Sequence, residues 1–236
     1  IGWEKYLLFP KDAPAVPREE LVAATRWVIR DELDYPVEEA VIDCFDIPNN
    51  GRTEAQRKIY VVVARRKDLQ TCIHLLDEAK LTIHSMDIPE LGLNNMATLL
   101  PENQEGVALL YLPPAQNPTC LQISCQDRIY LTRRIENTPA DAMPINNFDE
   151  LCETVDRTLN YYQSNFQQPQ VAALYLAAPP QMAENLLPQL MARLDTRVKP
   201  FNLEQILTID IPLEPAVIHS GLLAIGAALR PVGEQS

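Results

Sequence analysis

Pro36 divides the most regular stretch of this sequence. It has no N–H to give and it disfavours helical backbone at Tyr35, so a helix arriving from the N-terminal side must stop just before it. Residues 18–33 contain neither Pro nor Gly and carry Leu21, Val22, Ala24, Val28, Ile29 and Leu33 at three-to-four spacing, which predicts an amphipathic helix over that range. Pro17 suits its first turn. Beyond the break, residues 41–47 are apolar and rich in β-branched and aromatic side chains. Pro48-Asn49-Asn50-Gly51 is turn chemistry, and residues 59–64 form a second such run, so two strands are predicted. With residues 5–9 in front as a strand, the order is strand, helix, strand, strand.

The rest of the chain alternates in the same way. Residues 66–79 place Leu69, Cys72, Ile73, Leu76 and Ala79 on one helical face, 81–88 read as a strand, and Pro89 opens a helix reaching Leu100. Residues 101–106 read as a boundary, giving a first lobe over 1–100 and a second over 101–236. Short strands at 107–112, 120–125 and 129–135, joined through 113–118 and Gln126-Asp127, predict a meander. After a polar, Pro-containing loop come a helix over 148–165, a strand over 171–177, a helix over 181–194 and a terminal helix near 215–229.

Composition excludes several classes. No apolar run approaches the roughly 20 residues that span a bilayer, and the start does not read as a signal peptide, so any membrane contact is expected through a partner. A net charge of −12 argues against nucleic acid, whose phosphates demand a basic surface. Cys44, Cys72, Cys120, Cys125 and Cys152 form no Cys-x-x-Cys pair, and such scattered thiols read as small buried hydrophobes. Cys120 and Cys125, five apart on one predicted strand, should point to opposite faces and so share no metal. His74, His84 and His219 have no second ligand at metal spacing, and no nucleophile elbow or catalytic carboxylate pair stands out. No catalytic, metal or cofactor-binding residue is therefore assigned.

Four segments carry a resemblance in combination: Ala13-Pro14-Ala15-Val16-Pro17, Asp34-Tyr35-Pro36-Val37-Glu38-Glu39-Ala40, Tyr60-Val61-Val62-Val63-Ala64-Arg65, and Met86-Asp87-Ile88-Pro89-Glu90-Leu91-Gly92-Leu93. They resemble the PilM superfamily of actin-like proteins, most closely the MshI branch associated with MSHA-type pilus biogenesis. Leu159-Asn160-Tyr161-Tyr162-Gln163-Ser164 and Ile225-Gly226-Ala227-Ala228-Leu229-Arg230 are similar to two later helices of that family, so the likeness spans almost the whole chain. It implies a two-lobed, actin-like PilM-type α/β fold with a strand-helix-strand-strand (SHS2) module at about 5–64. The family's first phosphate hairpin would precede Ile1: either a segment ahead of Ile1 carries it or the protein has none.

Nucleotide chemistry is where the chain departs from the pattern. Actin-like ATPases cradle phosphates with Gly turns and an Asp beside each. Here there are 7 Gly in 236 residues, about half the roughly 7% of average usage. The second phosphate hairpin would fall at Ala108-Leu109-Leu110-Tyr111-Leu112-Pro113-Pro114, without a carboxylate. The adenosine strand would end at Ala177-Ala178-Pro179-Pro180, where proline offers no donor. The expectation is a non-catalytic cytoplasmic scaffold, without cofactor, peripheral to the inner membrane. It would sit on a type IV pilus platform and bind the short cytoplasmic tail of a bitopic membrane protein, with an assembly ATPase as a further candidate partner. The alternatives are an ATP-binding actin-like switch of a pilus or type II secretion system, and a cell-division-like filament protein.

Trp27 is the best pointer to a binding surface, because it falls on the polar side of its predicted helix, off the apolar arc. Cover from the neighbouring lobe would make it structural; exposure beside Arg30 and Asp34 would make it an anchor for a partner. Arg65, at the end of the last strand of the module, completes the candidate set of Trp27, Arg30, Asp34 and Arg65.

Overall fold

The computed structural model describes residues 1–48, 57–113, 117–135, 148–210 and 213–230, and the chain divides into two units, Ile1–Ile88 and Pro89–Ser236. The predicted turn at 48–51 and connection at 113–118 lie partly outside the described residues, and the loop after Ile135 lies outside them.

In the first unit, strand β1 (Tyr6–Asp12), helix α1 (Leu21–Val28), strands β2 (Ala40–Ile47) and β3 (Lys58–Arg65) and helix α2 (Arg66–Glu78) follow in order. The three strands form an antiparallel sheet in the order β1-β3-β2, with Tyr6 opposite Ala64 and Ala40 opposite Arg65. Pro10 is tolerated because β1 is an edge strand. Helix α1 is shorter than the periodicity predicted. Only eight residues are α-helical, flanked by single 3-10 turns at Arg18–Glu20 and Arg30–Glu32. Leu21, Thr25 and Ile29, every fourth residue, are the ones it buries. Leu21 and Ile29 join Val37, Ala40, Ile42, Ile59, Val61 and Val63 in the core of this unit. Val28, about 100° around the helix from Ile29, is left 50% exposed at the rim of this stripe. After Pro36 the chain is held against α1 by Arg26, whose Nη1 donates to the carbonyls of Val37 at 2.7 Å and Ala40 at 3.5 Å.

Residues 81–88 are not a strand. Their apolar residues look strand-like, but a strand needs a neighbour to take up its backbone groups, and none among the described residues pairs with them. Leu81 is left 59% exposed.

The second unit is built on a five-stranded mixed sheet in the order β6-β5-β4-β7-β8, from β4 (Val107–Tyr111), β5 (Thr119–Cys125), β6 (Arg128–Ile135), β7 (Ala173–Ala177) and β8 (Val198–Pro200). β4, β5 and β6 make the predicted antiparallel meander, while β4–β7 and β7–β8 are parallel. Every residue of β4, β5 and β7 is buried, as in strands covered on both faces. An irregularity between Ile123 and Ser124 interrupts the alternation of β5, so spacing alone does not orient Cys120 and Cys125. Their thiols meet different partners, the Thr132 hydroxyl at 3.5 Å and the Gln104 carbonyl at 3.6 Å.

Helices α3 (Pro89–Ala97), α4 (Phe148–Phe166), α5 (Pro180–Arg193) and α6 (Pro215–Ala228) complete this unit. The second unit begins at Pro89. Within it α3 packs against α6. Its Gly92 backbone packs so closely on Gly226 of α6 that a Cβ built at Gly226 would come within 2.2 Å of the Gly92 carbonyl oxygen. Asn95 Nδ2 adds a 2.9 Å hydrogen bond to the Gly226 carbonyl.

Candidate functional site

The end of β3, the loop before Pro36 and the start of β1 converge on an open pocket of about 320 Å³ in the first unit. Tyr35, just before Pro36, lines it together with Val63 and Arg65 of β3. The Arg65 guanidinium lies over the Tyr35 ring, 4.2 Å from its centroid, and its Nη2 sits 3.3 Å from Asp34 Oδ1. Lys5 and Asp68, from opposite sides, approach to 4.0 Å. Leu7, 45% exposed, and Val63 supply apolar wall. Burial raises the Tyr35 phenol above its ordinary value and the carboxylates of Asp34, Asp68 and Glu39 add to this, against the opposing pull of Arg65. The phenol therefore stays neutral at physiological pH, a hydrogen-bonding group on an aromatic platform.

Chemically, the pocket can receive a side chain. It holds a stacked cation, a phenol, apolar wall and half-exposed carboxylates, with no nucleophile poised beside a base. Beside it, β1 pairs with β3 on one side and with no other strand among the described residues, so the outer backbone of an edge strand lies next to a side-chain pocket. That juxtaposition is what strand addition by an extended peptide uses: main-chain hydrogen bonds along the edge and a pocket for specificity.

Of the four residues singled out from the sequence, Asp34 and Arg65 meet here. Trp27 and Arg30 do not line the pocket. Arg30 reaches its neighbour Asp31 at 3.6 Å, and Trp27 keeps 71% of its surface exposed, so its own unit does not cover it. Sequence reasoning missed Lys5, Leu7 and Asp68, which carry no local signal. It also passed over Tyr35, although the Asp34-Tyr35-Pro36 motif contains it.

The positions that the resemblance assigns to nucleotide elements lie at the ends of β4 and β7. Tyr111 and Leu112, at the end of β4, are buried. The Leu112 carbonyl already accepts from His219 Nε2 of α6 at 2.8 Å, and the Tyr111 and His219 rings lie 5.5 Å apart. At the end of β7, α5 begins with Pro179 as its cap and Pro180 at its first position, which removes two backbone donors from a helix N-terminus. Among the described residues, no cluster of His, Cys, Asp or Glu could hold a metal ion, and no helix is long and apolar enough to cross a membrane. A second open pocket, of about 480 Å³, is lined only by residues 204–209 and brings no chemistry together.

No protein-family model and no curated protein matches this sequence. Solved structures do. A chain of the PilM-PilN type IV pilus biogenesis complex superposes with a TM-score of 0.73 at 20% identity, over 98% of this chain and 77% of that one. The cytoplasmic domain of EpsL, an inner-membrane component of the type II secretion system of Vibrio cholerae, gives 0.49 at 13% identity over 97% and 72%. A Bacteroides thetaiotaomicron protein with an actin-like ATPase fold and unknown function gives 0.46 at 10% identity over 85% and 66%. The last two values are too low to carry weight, and an identity of 20% speaks to architecture alone. The fold is thus the mixed α/β, PilM-type fold that the resemblance in the sequence implied.

Proposed function

We propose that this chain is a non-catalytic scaffold at the inner-membrane platform of a type IV pilus, of MSHA-like type, where its first unit captures the short cytoplasmic peptide of a bitopic membrane protein. The observation that carries this reading is the edge position of β1 beside the Tyr35–Arg65 pocket, in a chain whose fold matches a protein of the PilM-PilN complex over 98% of its length. An extended peptide pairs its backbone with β1 and places one side chain in the pocket beside Tyr35, where a carboxylate competes with Asp34 and Asp68 for Arg65 and Lys5. Ordering a flexible tail offsets part of the contact energy, so the affinity is moderate. The partner supplies the membrane attachment, and the cytoplasmic location follows from that arrangement.

The absence of catalysis belongs to the same proposal. It is supported by the prolines at the start of α5 and by the Leu112 carbonyl already engaged by His219. The test is calorimetry of the intact protein with the cytoplasmic peptide of a co-encoded bitopic protein. Saturable binding that falls about tenfold or more in Arg65→Ala supports the reading. Equal binding by that variant moves the site elsewhere, and no binding to the peptide removes the proposal.

A further inference from the structure

Helix α1 turns its largest side chain away from its own core. Thr25 lies in the middle of the buried line and Trp27 two residues on, about 200° around the helix, so the indole faces solvent opposite the sheet. Trp27 is 71% exposed and Val28 beside it 50%. An indole left in water next to a second apolar side chain is material for an interface, since little else contributes as much contact area at so small a loss of side-chain freedom.

The sequence on either side of this apolar spot is acidic. Residues 18–39 hold seven carboxylates against three arginines, a net −4. Two of those arginines are engaged: Arg26 with the carbonyls of Val37 and Ala40, and Arg30 with Asp31 at 3.6 Å. Glu19, Glu20, Glu38 and Glu39 are exposed, and no cation pairs with any of them among the described residues. A second copy of a chain of net charge −12, or an anionic bilayer, would meet this face with like charge.

We propose that the outer face of α1, centred on Trp27, docks a basic amphipathic segment of a protein partner. Apolar side chains of that segment cover Trp27 and Val28, while its Lys and Arg residues pair with the glutamates on either side and stack on the indole. This surface is independent of the peptide pocket at Arg65, which Trp27 does not line, so the two readings stand or fall separately.

The indole reports on its own docking. The chain has two tryptophans: Trp3 is buried at 6% exposure, so a blue shift of emission follows Trp27. The probe is a peptide of about 18 residues with Leu and Lys at helical spacing, compared with a scrambled peptide of the same composition. The expected result is a saturable blue shift with the amphipathic peptide. By calorimetry, the dissociation constant should rise about tenfold or more in Trp27→Ala and several-fold in the Glu38→Gln/Glu39→Gln double variant, and stay unchanged in Arg65→Ala. Unaltered affinity in Trp27→Ala, or equal binding of the scrambled peptide, overturns the proposal. So does a blue shift produced by phosphatidylserine vesicles, or by raising the protein concentration alone. Unfolding of Trp27→Ala overturns it too, because an anchor for a partner is not a support of the core.

Discussion

Replacing Gly226 by Ala sets two effects of known size against each other. In a helix interior Ala is favoured over Gly by about 0.8–1.0 kcal/mol, so helix propensity alone would stabilise the variant. The new Cβ, however, would lie 2.2 Å from the Gly92 carbonyl oxygen, 2.7 Å from its carbon and 3.0 Å from its Cα. All three are backbone atoms of α3, which cannot swing aside as a side-chain tip can. Reaching van der Waals distance requires the helices to part by about 1 Å. That loosens Leu93, Met96 and Ala97 against Leu222, each at most 2% exposed, and stretches the Asn95 bond to the Gly226 carbonyl. Overpacking of this kind costs about 1–3 kcal/mol and more when backbone must move, so the net expectation is a loss of about 2 kcal/mol. Gly221, one turn earlier in α6, is the control: a Cβ there meets only Ile225 Cδ1 at 3.9 Å, so Gly221→Ala should gain about 0.5–1 kcal/mol. Urea unfolding with unchanged m-values reads both. If Gly226→Ala is as stable as the wild type, or Gly221→Ala loses as much, the close backbone crossing is not what joins α3 to α6.

Three further outcomes are expected. Arg65→Ala should fold normally, because its link to Asp34 is exposed, yet raise the Tyr35 phenol further, readable as a higher midpoint in an ultraviolet pH titration; an unmoved titration would mean that the cation does not sit on the ring in solution. Mg-ATP titrated into the intact protein should give no binding heat in the micromolar range, and a micromolar dissociation constant would refute the scaffold reading. Burial holds His219 below the usual 6.5, against the opposing effect of its bond to Leu112, so the unfolded chain takes up that proton first. Its contribution is present above about 6.5 and lost as the pH falls through the lower folded value; the urea midpoint should therefore drop more between pH 7 and 5 in the wild type than in His219→Gln, and equal drops would exclude His219 as the cause.

Local chemistry was enough to write most of the elements into the sequence. A break at Pro36, turns of 3.6-residue periodicity and short β-branched runs act over a few neighbours, and the antiparallel meander of β4, β5 and β6 and the helices after it follow from them. Asp34 was singled out as a charge flanking Trp27 and Arg65 as a cation at a strand end; in the structure the two lie 3.3 Å apart. What local chemistry could not decide was pairing at a distance. Residues 81–88 have a strand's residues but no ladder partner, and β8, only three residues with a Lys and a Pro, is a strand because β7 lies beside it. The crossing of α3 and α6 brings together two glycines 134 positions apart, Gly92 and Gly226. Whether Trp27 was covered could not be read from its helical angle, which gives the direction of a side chain but not what stands there. The pocket likewise joins Tyr35 to a strand end 30 residues further on, and the energy of stacking a guanidinium on a ring depends on their separation in space, which sequence order does not contain.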